Sequence, residues 1–224
     1  MRMYKKDIQK KRMMRYFIDA TKSIVENEGH EAVTVRKVAD IAGYNSATLY
    51  NYFDNLDHLL FFSSMNYLKD YVIALPEYLT GCKDPLDKYF RIWRCFCYFS
   101  YNNPKIYNIL FFNRYSHLIK DAVKEYYSIF PEELGDQPED LLRMLLKNDI
   151  SSRNITLLEA ISQEGLISQD DIGDINDMTI LIYQGMLSRV LYSQWDSTID
   201  EAIEKTLSYF KHTIRAFNEG NDKL

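Results

Sequence analysis

The sequence predicts an all-α protein with two parts, a small N-terminal helical domain of residues 1–54 and a larger helical domain of residues 55–224. Three observations indicate this fold class. Apolar residues recur at spacings of three and four along most of the chain. The 224 residues include only 8 Gly and 5 Pro, mostly where a helix can begin or end. Residues 34–53 have the layout of two short helices joined by a tight turn.

Caps and breakers place most of the helices. The first helix is expected over about 8–28, where Gly29 ends it. Another begins near Asn55 and is expected to end before Pro76. Asp84 precedes Pro85 as a capping residue before a proline at the first helical position. The remaining helices are predicted over about 85–101, 104–130 with a break near Asn113, 139–164, 174–194 and 198–218.

Residues 34–53 are the most informative stretch. The apolar face of its first helix consists of Val35, Val38, Ala39 and Ala42. Gly43 follows at the position where a helix ends in a left-handed cap. In the second helix Leu49 and Phe53, four residues apart, point toward a core, and the outer face is small and polar. Such a helix fits the major groove of DNA, where amides and hydroxyls meet base edges.

This pattern resembles the N-terminal signature of the TetR family of transcriptional regulators. The residues that carry the resemblance are Val38, Ala39, Ala42, Gly43, Thr48, Leu49, Tyr50, Tyr52, Phe53 and Leu59. It runs from about Phe17 to Leu60, and it is specific because it constrains residue types over about twenty positions. The resemblance implies an N-terminal DNA-binding domain and a larger ligand-binding and dimerisation domain. The alternative is a three-helix packing unit of an unrelated all-helical protein.

Ten residues are expected to bind DNA. Thr34 can cap the first helix of the motif and direct backbone amides at a phosphate. Arg36 either contacts a phosphate or a groove of the DNA or is a solvated arginine. Asn45 either binds an adenine base or only caps the second helix. Tyr50 either binds a phosphate or packs against the protein. The resemblance places at bases and phosphates Tyr44, Asn45, Ser46, Ala47, Thr48, Tyr50, Asn51 and Tyr52.

The chain departs from the family pattern at two positions. Leu56, between Asp54 and Asp57, replaces a lysine that usually pairs with phosphate, and Ala47 replaces a usual glycine. Loss of a phosphate contact weakens binding to all sequences alike. Residues 1–15 carry seven Lys or Arg against one Asp, a charge of +6 in a chain of net charge −5. This segment is either a solubilising tail or a compensating DNA contact through Lys5, Lys6, Lys10, Lys11 and Arg12.

A ligand pocket is expected in the larger domain, because the resemblance implies a small-molecule effector. Binding of this effector changes the separation of the two DNA-binding domains of a dimer. The concentration of aromatic residues there favours an apolar or aromatic effector, although most of these side chains are core. Arg153 is expected to pair with Asp149 on the surface, or else to orient a ligand. The expected pocket residues are Phe62, Met65, Trp93, Phe96, Cys97, Tyr107, Phe111 and Asn154.

The last two predicted helices are long and amphipathic, and the resemblance implies that they form a homodimer as a four-helix bundle. A single DNA-binding helix buries too little surface on DNA to bind an operator tightly. The alternative is that both helices complete the core of the monomer. The expected dimer contacts are Leu181, Gly185, Met186, Ile203, Leu207, Phe210 and Ile214.

Little in the sequence indicates an enzyme. The eight glycines are isolated and the four histidines are scattered, and no nucleophile motif is present. Neither catalytic residues, a metal site nor a cofactor is predicted. The longest charge-free runs, 58–68 and 178–188, are too short to span a bilayer, and no signal peptide is visible. Three cysteines give no disulfide framework, so a soluble cytoplasmic protein is expected.

Three hypotheses on function follow. The leading one is a homodimeric, ligand-responsive transcriptional regulator, more specifically a repressor, that binds double-stranded operator DNA. The second keeps the same fold as a protein-interaction module with weak or lost DNA binding, which Leu56, Asp54 and Asp57 motivate. The third is an enzyme on an all-helical fold, for which no polar cluster in the sequence can be named.

Overall fold

A computed structural model describes residues 2–112 and 121–218, and within these ranges it is all-α, as predicted. Twelve α-helices lie in this part of the chain: α1 (Arg2–Glu28), α2 (Val35–Ala42), α3 (Ser46–Leu49), α4 (Leu56–Ser64), α5 (Leu68–Tyr78), α6 (Pro85–Asn102), α7 (Pro104–Phe112), α8 (Ala122–Ile129), α9 (Glu139–Leu145), α10 (Ile150–Gln163), α11 (Ile172–Leu191) and α12 (Ile199–Ala216). Short 3₁₀ helices occupy His30–Ala32, Met65–Tyr67 and Pro131–Glu133. None of the helices in the described ranges has the length and apolar character needed to cross a membrane.

The N-terminal helices α1 to α3 form a small unit around Phe17, Val38, Leu49 and Phe53, all buried. Helix α1 continues beyond this unit and packs against both α4 and α8. The buried apolar residues of the two parts form one continuous cluster. The division of the chain at residue 54 therefore stays a prediction.

The expected end of a helix before Pro76 is wrong. Helix α4 ends at Ser64, and α5 then continues past Pro76 to Tyr78. A proline inside a helix leaves the carbonyl four residues earlier without its donor. Here that carbonyl belongs to Val72, and it accepts a hydrogen bond of 3.2 Å from the Gln137 side-chain amide. A contact 65 residues away in sequence thus makes the proline tolerable.

The single helix expected over 139–164 is two helices, α9 and α10. Asp149 caps α10 by accepting from the Ser152 N–H at 2.7 Å. The Arg153 guanidinium folds back over the break and donates to the carbonyls of Leu145 and Lys147. The expected surface ion pair between Asp149 and Arg153 is therefore wrong, because Arg153 is buried and binds backbone oxygens instead. The break expected near Asn113 lies outside the described residues.

Helix α6 is the centre of the larger domain. It packs against α5, α7, α10, α11 and α12. Its buried aromatic face brings the Trp93 ring 4.9 Å from that of Phe210 and 5.3 Å from that of Tyr183, between ring centroids. Aromatic pairs in this range contribute beyond the area that they bury. The dense aromatic packing predicted from composition therefore forms mainly the core of the protomer.

Candidate functional site

The two short helices of the N-terminal unit are capped by their own side chains. Thr34 accepts from the Lys37 N–H at 3.2 Å at the start of α2. Gly43, with φ of +78°, ends α2 in the left-handed conformation that favours glycine. Asn45 Oδ1 accepts from both the backbone N–H and the hydroxyl of Thr48, at 2.8 and 3.0 Å. Asn45 is thus a cap in this structure, and its Oδ1 is already occupied.

The outer face of α3 is accessible. Leu49 is its buried anchor, whereas Ala47, Asn51 and Tyr50 are exposed, Tyr50 by 53%. Tyr50 therefore does not pack into the core. Tyr44 and Asn45 are also exposed, and the residues that are half-buried are Ser46, Thr48 and Tyr52. The predicted DNA-binding residues of the turn and α3 thus lie together around one short helix.

Aromatic rings support this surface from beneath. The ring centroid of Phe17 lies 5.7 Å from that of Tyr44 and 6.1 Å from that of Tyr52. Tyr16 is exposed beside them, with its ring centroid 6.2 Å from that of Tyr44. Sequence reasoning missed Tyr16 as a candidate contact. Its position directly before the core residue Phe17 on a helix was the available signal, because neighbouring helix positions point in different directions.

The basic residues near this surface are only partly free to meet DNA. The Arg36 side chain is 91% exposed, and its Nε is 4.0 Å from Asp40, too far for a strong ion pair. Lys10, by contrast, binds Glu125 on α8 at 2.6 Å. The role of Lys10 as a compensating DNA contact stays a prediction, and its ammonium group would have to leave this exposed carboxylate partner to make the contact.

The remaining basic residues of α1 differ in their partners. Lys11 binds Asp7 at 3.1 Å, and Arg15 binds Glu132 at 2.6 Å. Arg12 and Lys6 are exposed, and no ion pair with either is formed in the described part of the chain. The side chain of Lys5 lies outside the described side chains.

The start of α4 presents negative charge where the family pattern has a lysine. Asn55 caps the helix by accepting from the His58 N–H at 3.0 Å, and Leu56 is half-buried. The Asp54 backbone N–H donates to His58 Nδ1 at 3.1 Å, which places a neutral ring's proton on Nε2. Burial lowers the pKa of His58, so it supplies no positive charge here at neutral pH. Neither Leu56 nor the neutral His58 therefore supplies a positive charge to a phosphate at this position.

The predicted ligand pocket is largely filled. Five of its expected residues are buried in closely packed core: Phe62, Met65, Cys97, Tyr107 and Phe111. The other three, Trp93, Phe96 and Asn154, line a cavity of about 20 Å³ between α6 and α10, together with Tyr71, Ile92, Met144, Ile150, Arg153 and Leu157. This volume holds about one water molecule. A larger ligand would require these helices to move apart.

One wall of this cavity is a polar chain of hydrogen bonds. Trp93 Nε1 donates to Asn154 Oδ1 at 2.9 Å, and Asn154 Nδ2 donates to Asn176 Oδ1 at 3.0 Å. Asn176 Nδ2 then donates to the Ser151 hydroxyl at 2.8 Å. Burial raises the pKa of the neighbouring Cys97 thiol to about 12, so this thiol is protonated and unreactive at neutral pH.

The expected dimer contacts on the last two helices fall into an exposed group and a buried group. Leu181 and Gly185 are exposed on α11, and nothing would meet a side chain added at Gly185. The other five are buried within the protomer: Met186, Ile203, Leu207, Phe210 and Ile214. Their apolar face packs against α6, so a partner subunit cannot reach it while the protomer is folded. Of the expected contacts, only Leu181 and Gly185 are therefore open to a partner on α11.

Comparisons with known proteins agree with this geometry. Residues 17–61 match the family model described as bacterial regulatory proteins, tetR family. No curated protein matches the chain. Among solved structures, a putative TetR-family transcriptional regulator from Rhodococcus sp. has a TM-score of 0.54 at 18% identity, over 90% of this chain and 98% of that one.

Two solved structures of proteins named FadR are similar over most of the chain. FadR from Thermus thermophilus, a TetR-family repressor solved in complex with lauroyl-CoA, has a TM-score of 0.57 at 13% identity, over 89% of this chain and 94% of that one. The fatty acid degradation regulator FadR from Bacillus halodurans has a TM-score of 0.52 at 16% identity, over 88% and 93%. At these identities the likeness shows the fold alone.

An all-α chain with an exposed, capped helix-turn-helix near its N-terminal end has the architecture that helix-turn-helix DNA-binding proteins use. The segment that contains this motif, residues 17–61, is the part of the chain that is similar to the tetR family of bacterial regulatory proteins. In the described residues no group of three or more His, Cys, Asp or Glu side chains is arranged to hold a metal ion.

Proposed function

We propose that this protein is a homodimeric transcriptional repressor that binds operator DNA through α2 and α3 and responds to a small-molecule effector. The observation that carries the proposal is the accessible face of α3, whose polar and small side chains surround a single buried anchor, Leu49. A helix of this size enters the major groove with its first residues at the base edges. Ala47 and Asn51 then face bases, and Tyr44 and Tyr50 reach phosphates.

Two reading helices are needed for operator affinity, and α11 with α12 offers the surface to pair them. The exposed apolar side chains of this helix pair are Met178, Leu181, Tyr192 and Tyr209. Gly185 lies one helical turn after Leu181 and leaves open space for a close approach of a second helix. A two-fold contact centred on this stretch of α11 would cover these side chains.

Replacement of Leu181 by lysine is expected to convert the dimer to a monomer. Leu181 is 68% exposed in the protomer, so the change should leave its core intact while burying a charge in the dimer interface. Sedimentation velocity across a concentration series measures the result. The matched control is Ile73→Lys, a similar change at an exposed apolar residue of α5. A Leu181→Lys protein as dimeric as the control would contradict the proposed interface.

The effector is proposed to be apolar or aromatic and to enter between α6 and α10. The lining of the small cavity there is dominated by Trp93, Phe96, Tyr71 and aliphatic side chains. The similar fold of Thermus thermophilus FadR holds lauroyl-CoA, which supports an apolar body for the effector. Helix α1 contacts both α4 and α8, so a movement in the larger domain changes the position of the reading helix. We place this activity in the cytoplasm, with the DNA.

Binding to the DNA upstream of the protein's own gene, measured by fluorescence anisotropy at about 50 and 200 mM salt, tests the proposal. Arg36→Ala is expected to weaken binding to all sequences and to reduce the salt slope by about one, because one phosphate contact is lost. The matched control is Arg143→Ala, an exposed helical arginine of α9 with an acidic partner four residues earlier. Equal slopes for both variants would exclude Arg36 as a phosphate contact.

A protein-interaction module on the same fold remains the second candidate, and specific contacts favour it. Asp54 and Leu56 stand where a cation would meet phosphate, and Lys10 is bound to Glu125 rather than free. This candidate predicts that the dimer binds upstream DNA no better than random DNA, even at low salt. The same anisotropy titration therefore decides between the two functions.

A further inference from the structure

Among the residues that the structure describes, Arg153 on α10 carries a buried positive charge without a carboxylate partner. It is only 4% exposed. Its Nε donates to the Lys147 carbonyl at 3.1 Å and its Nη2 to the Leu145 carbonyl at 2.9 Å, whereas Nη1 has no hydrogen-bond partner. Within the described ranges no carboxylate lies within ion-pair distance of it, and residues 113–120 contain neither Asp nor Glu. Burying a charge without a counter-charge is costly. A buried arginine of this kind is therefore expected to gain a negatively charged partner in the functional state of the protein.

The groups around Arg153 do not supply the missing negative charge. Its guanidinium carbon lies 5.3 Å from the Phe111 ring centroid, a cation–π contact that attracts the cation but carries no negative charge. The charge of Arg153 acts on the phenols of Tyr71, Tyr107 and Tyr127, and burial raises the pKa of all three. These hydroxyls therefore stay protonated and neutral at physiological pH.

The unpaired arginine borders the small cavity between α6 and α10. Trp93 and Phe96 form its aromatic wall, and Asn154 supplies a neutral polar group beside Arg153. A guanidinium presents its N–H groups in a planar fork that matches the two oxygens of a carboxylate. The cavity thus combines an aromatic wall with one cationic end, which is the lining that an amphiphilic anion needs.

We propose that the effector is an organic carboxylate with an apolar or aromatic body, bound through its carboxylate to Arg153 and through its body to Trp93 and Phe96. This inference rests on the proposed ligand-responsive function and names the class of ligand. Because the cavity holds about one water, binding must open it. A carboxylate that engages the guanidinium competes with the carbonyls of Leu145 and Lys147, and so releases the connection between α9 and α10.

The site is also connected to the reading domain by direct packing. Phe111, which lies over the Arg153 guanidinium, belongs to α7. Helix α7 packs against α4, and α4 packs against α1. A shift of Arg153 on ligand binding can thus be transmitted to the N-terminal helices through two helix contacts. Such a path would couple the ligand site to the DNA-binding surface.

The test compares acids with their uncharged amides on the full-length protein. Trp195→Phe leaves Trp93, in the cavity wall, as the single tryptophan reporter. Its fluorescence is titrated with decanoate and decanamide, and with 3-phenylpropanoate and 3-phenylpropanamide, at about pH 7, where both acids are ionised. We expect at least one acid to bind about tenfold or more tightly than its amide.

Three variants in the same background assign that preference. Arg153→Met is expected to bring the ratio of acid to amide affinity to about one, whereas Arg153→Lys keeps part of it because the charge remains without the fork. Arg143→Met, at an exposed arginine of α9, should leave the ratio unchanged. If Arg153→Met does not fold, the reduced but retained preference of Arg153→Lys carries the test.

The inference is overturned if the amides bind the parent protein as well as the acids, if neither acid changes the Trp93 signal, or if the preference survives in Arg153→Met. Anisotropy with the upstream DNA, measured on the same samples, distinguishes a failure of the proposed repressor function from a failure of the proposed ligand site. Acid preference without DNA binding contradicts the proposed repressor function and not the site. DNA binding without acid preference contradicts the site alone.

Discussion

Replacement of Ala47 by glutamate is expected to weaken binding to operator DNA by about a hundredfold or more while leaving the fold intact. Ala47 is exposed and is the second residue of α3, where a negative charge is favourable to the helix because of its dipole. In the proposed complex the new carboxylate faces DNA at the centre of the contact. Like charges brought together at an interface cost several kcal/mol, and about 2.7 kcal/mol corresponds to a hundredfold.

The matched control adds the same charge at the same helix position in the larger domain. Gly173 is the second residue of α11, is exposed, and has open space around its Cα. Gly173→Glu should bind DNA like the parent protein. Anisotropy measures affinity, and circular dichroism with thermal unfolding verifies that both variants fold. An Ala47→Glu affinity within about threefold of the control would mean that α3 does not enter a groove.

Replacement of Lys22 by methionine is expected to lower the free energy of unfolding by about 3 kcal/mol. Lys22 Nζ lies 3.1 Å from a carboxylate oxygen of Glu133, which is only 6% exposed. The other Glu133 oxygen accepts from the Tyr126 hydroxyl at 2.5 Å, and the Lys22 ammonium also lies 4.2 Å from the Phe130 ring centroid. Removal of Lys22 leaves the Glu133 carboxylate buried without its counter-charge. This desolvated charge accounts for most of the expected loss in the free energy of unfolding.

A double-mutant cycle separates this penalty from the strength of the pair. Lys22→Met with Glu133→Leu should recover most of the loss, because the buried charge is then gone as well. Lys10→Met is the control, since the Lys10–Glu125 pair joins α1 to α8 at an exposed position and is expected to contribute less than about 1 kcal/mol. Urea unfolding gives the free energy of unfolding of the parent protein and of each variant, including Glu133→Leu alone, which the cycle requires. A Lys22→Met loss no larger than that of Lys10→Met would contradict the prediction.

The Lys22–Glu133 pair also has a functional position. It fastens α1, the first helix of the reading domain, to the 3₁₀ turn that follows α8 in the larger domain. Lys22 additionally donates to the Asn66 side chain at 3.1 Å, between α4 and α5. A contact shared by both parts fixes the angle at which α3 is presented. The variants in this cycle are therefore expected to alter DNA affinity beyond what their stability explains.

The local features of the candidate site were predictable from the sequence. The Thr34 cap, the left-handed Gly43 and the Asn45 cap all connect residues within four positions of each other. Such contacts depend on backbone geometry that each short segment largely carries in itself. The resemblance of the segment to the tetR family followed from the same residues, and the family model for residues 17–61 agrees with that resemblance.

Features that depend on distant contacts were not predictable. The apolar stripe of α12 reads equally as a dimer face or as core, and only the packing of Phe210 against Trp93 of α6 decides for core. Arg153 reads as half of a surface ion pair until the break between α9 and α10 buries it. In both cases the periodicity specifies a face of a helix but not the element that covers it.

By itself, the sequence of this protein determined an all-α fold and the position and caps of its helix-turn-helix, because helix periodicity and capping are local properties. Only the tertiary structure decided which charges are free. Lys10 is bound to Glu125, 115 residues away, while Arg153 is buried with no carboxylate partner among the described residues. The physical reason is that burial and ion pairing depend on which segments meet in space, and no spacing along the chain records that meeting.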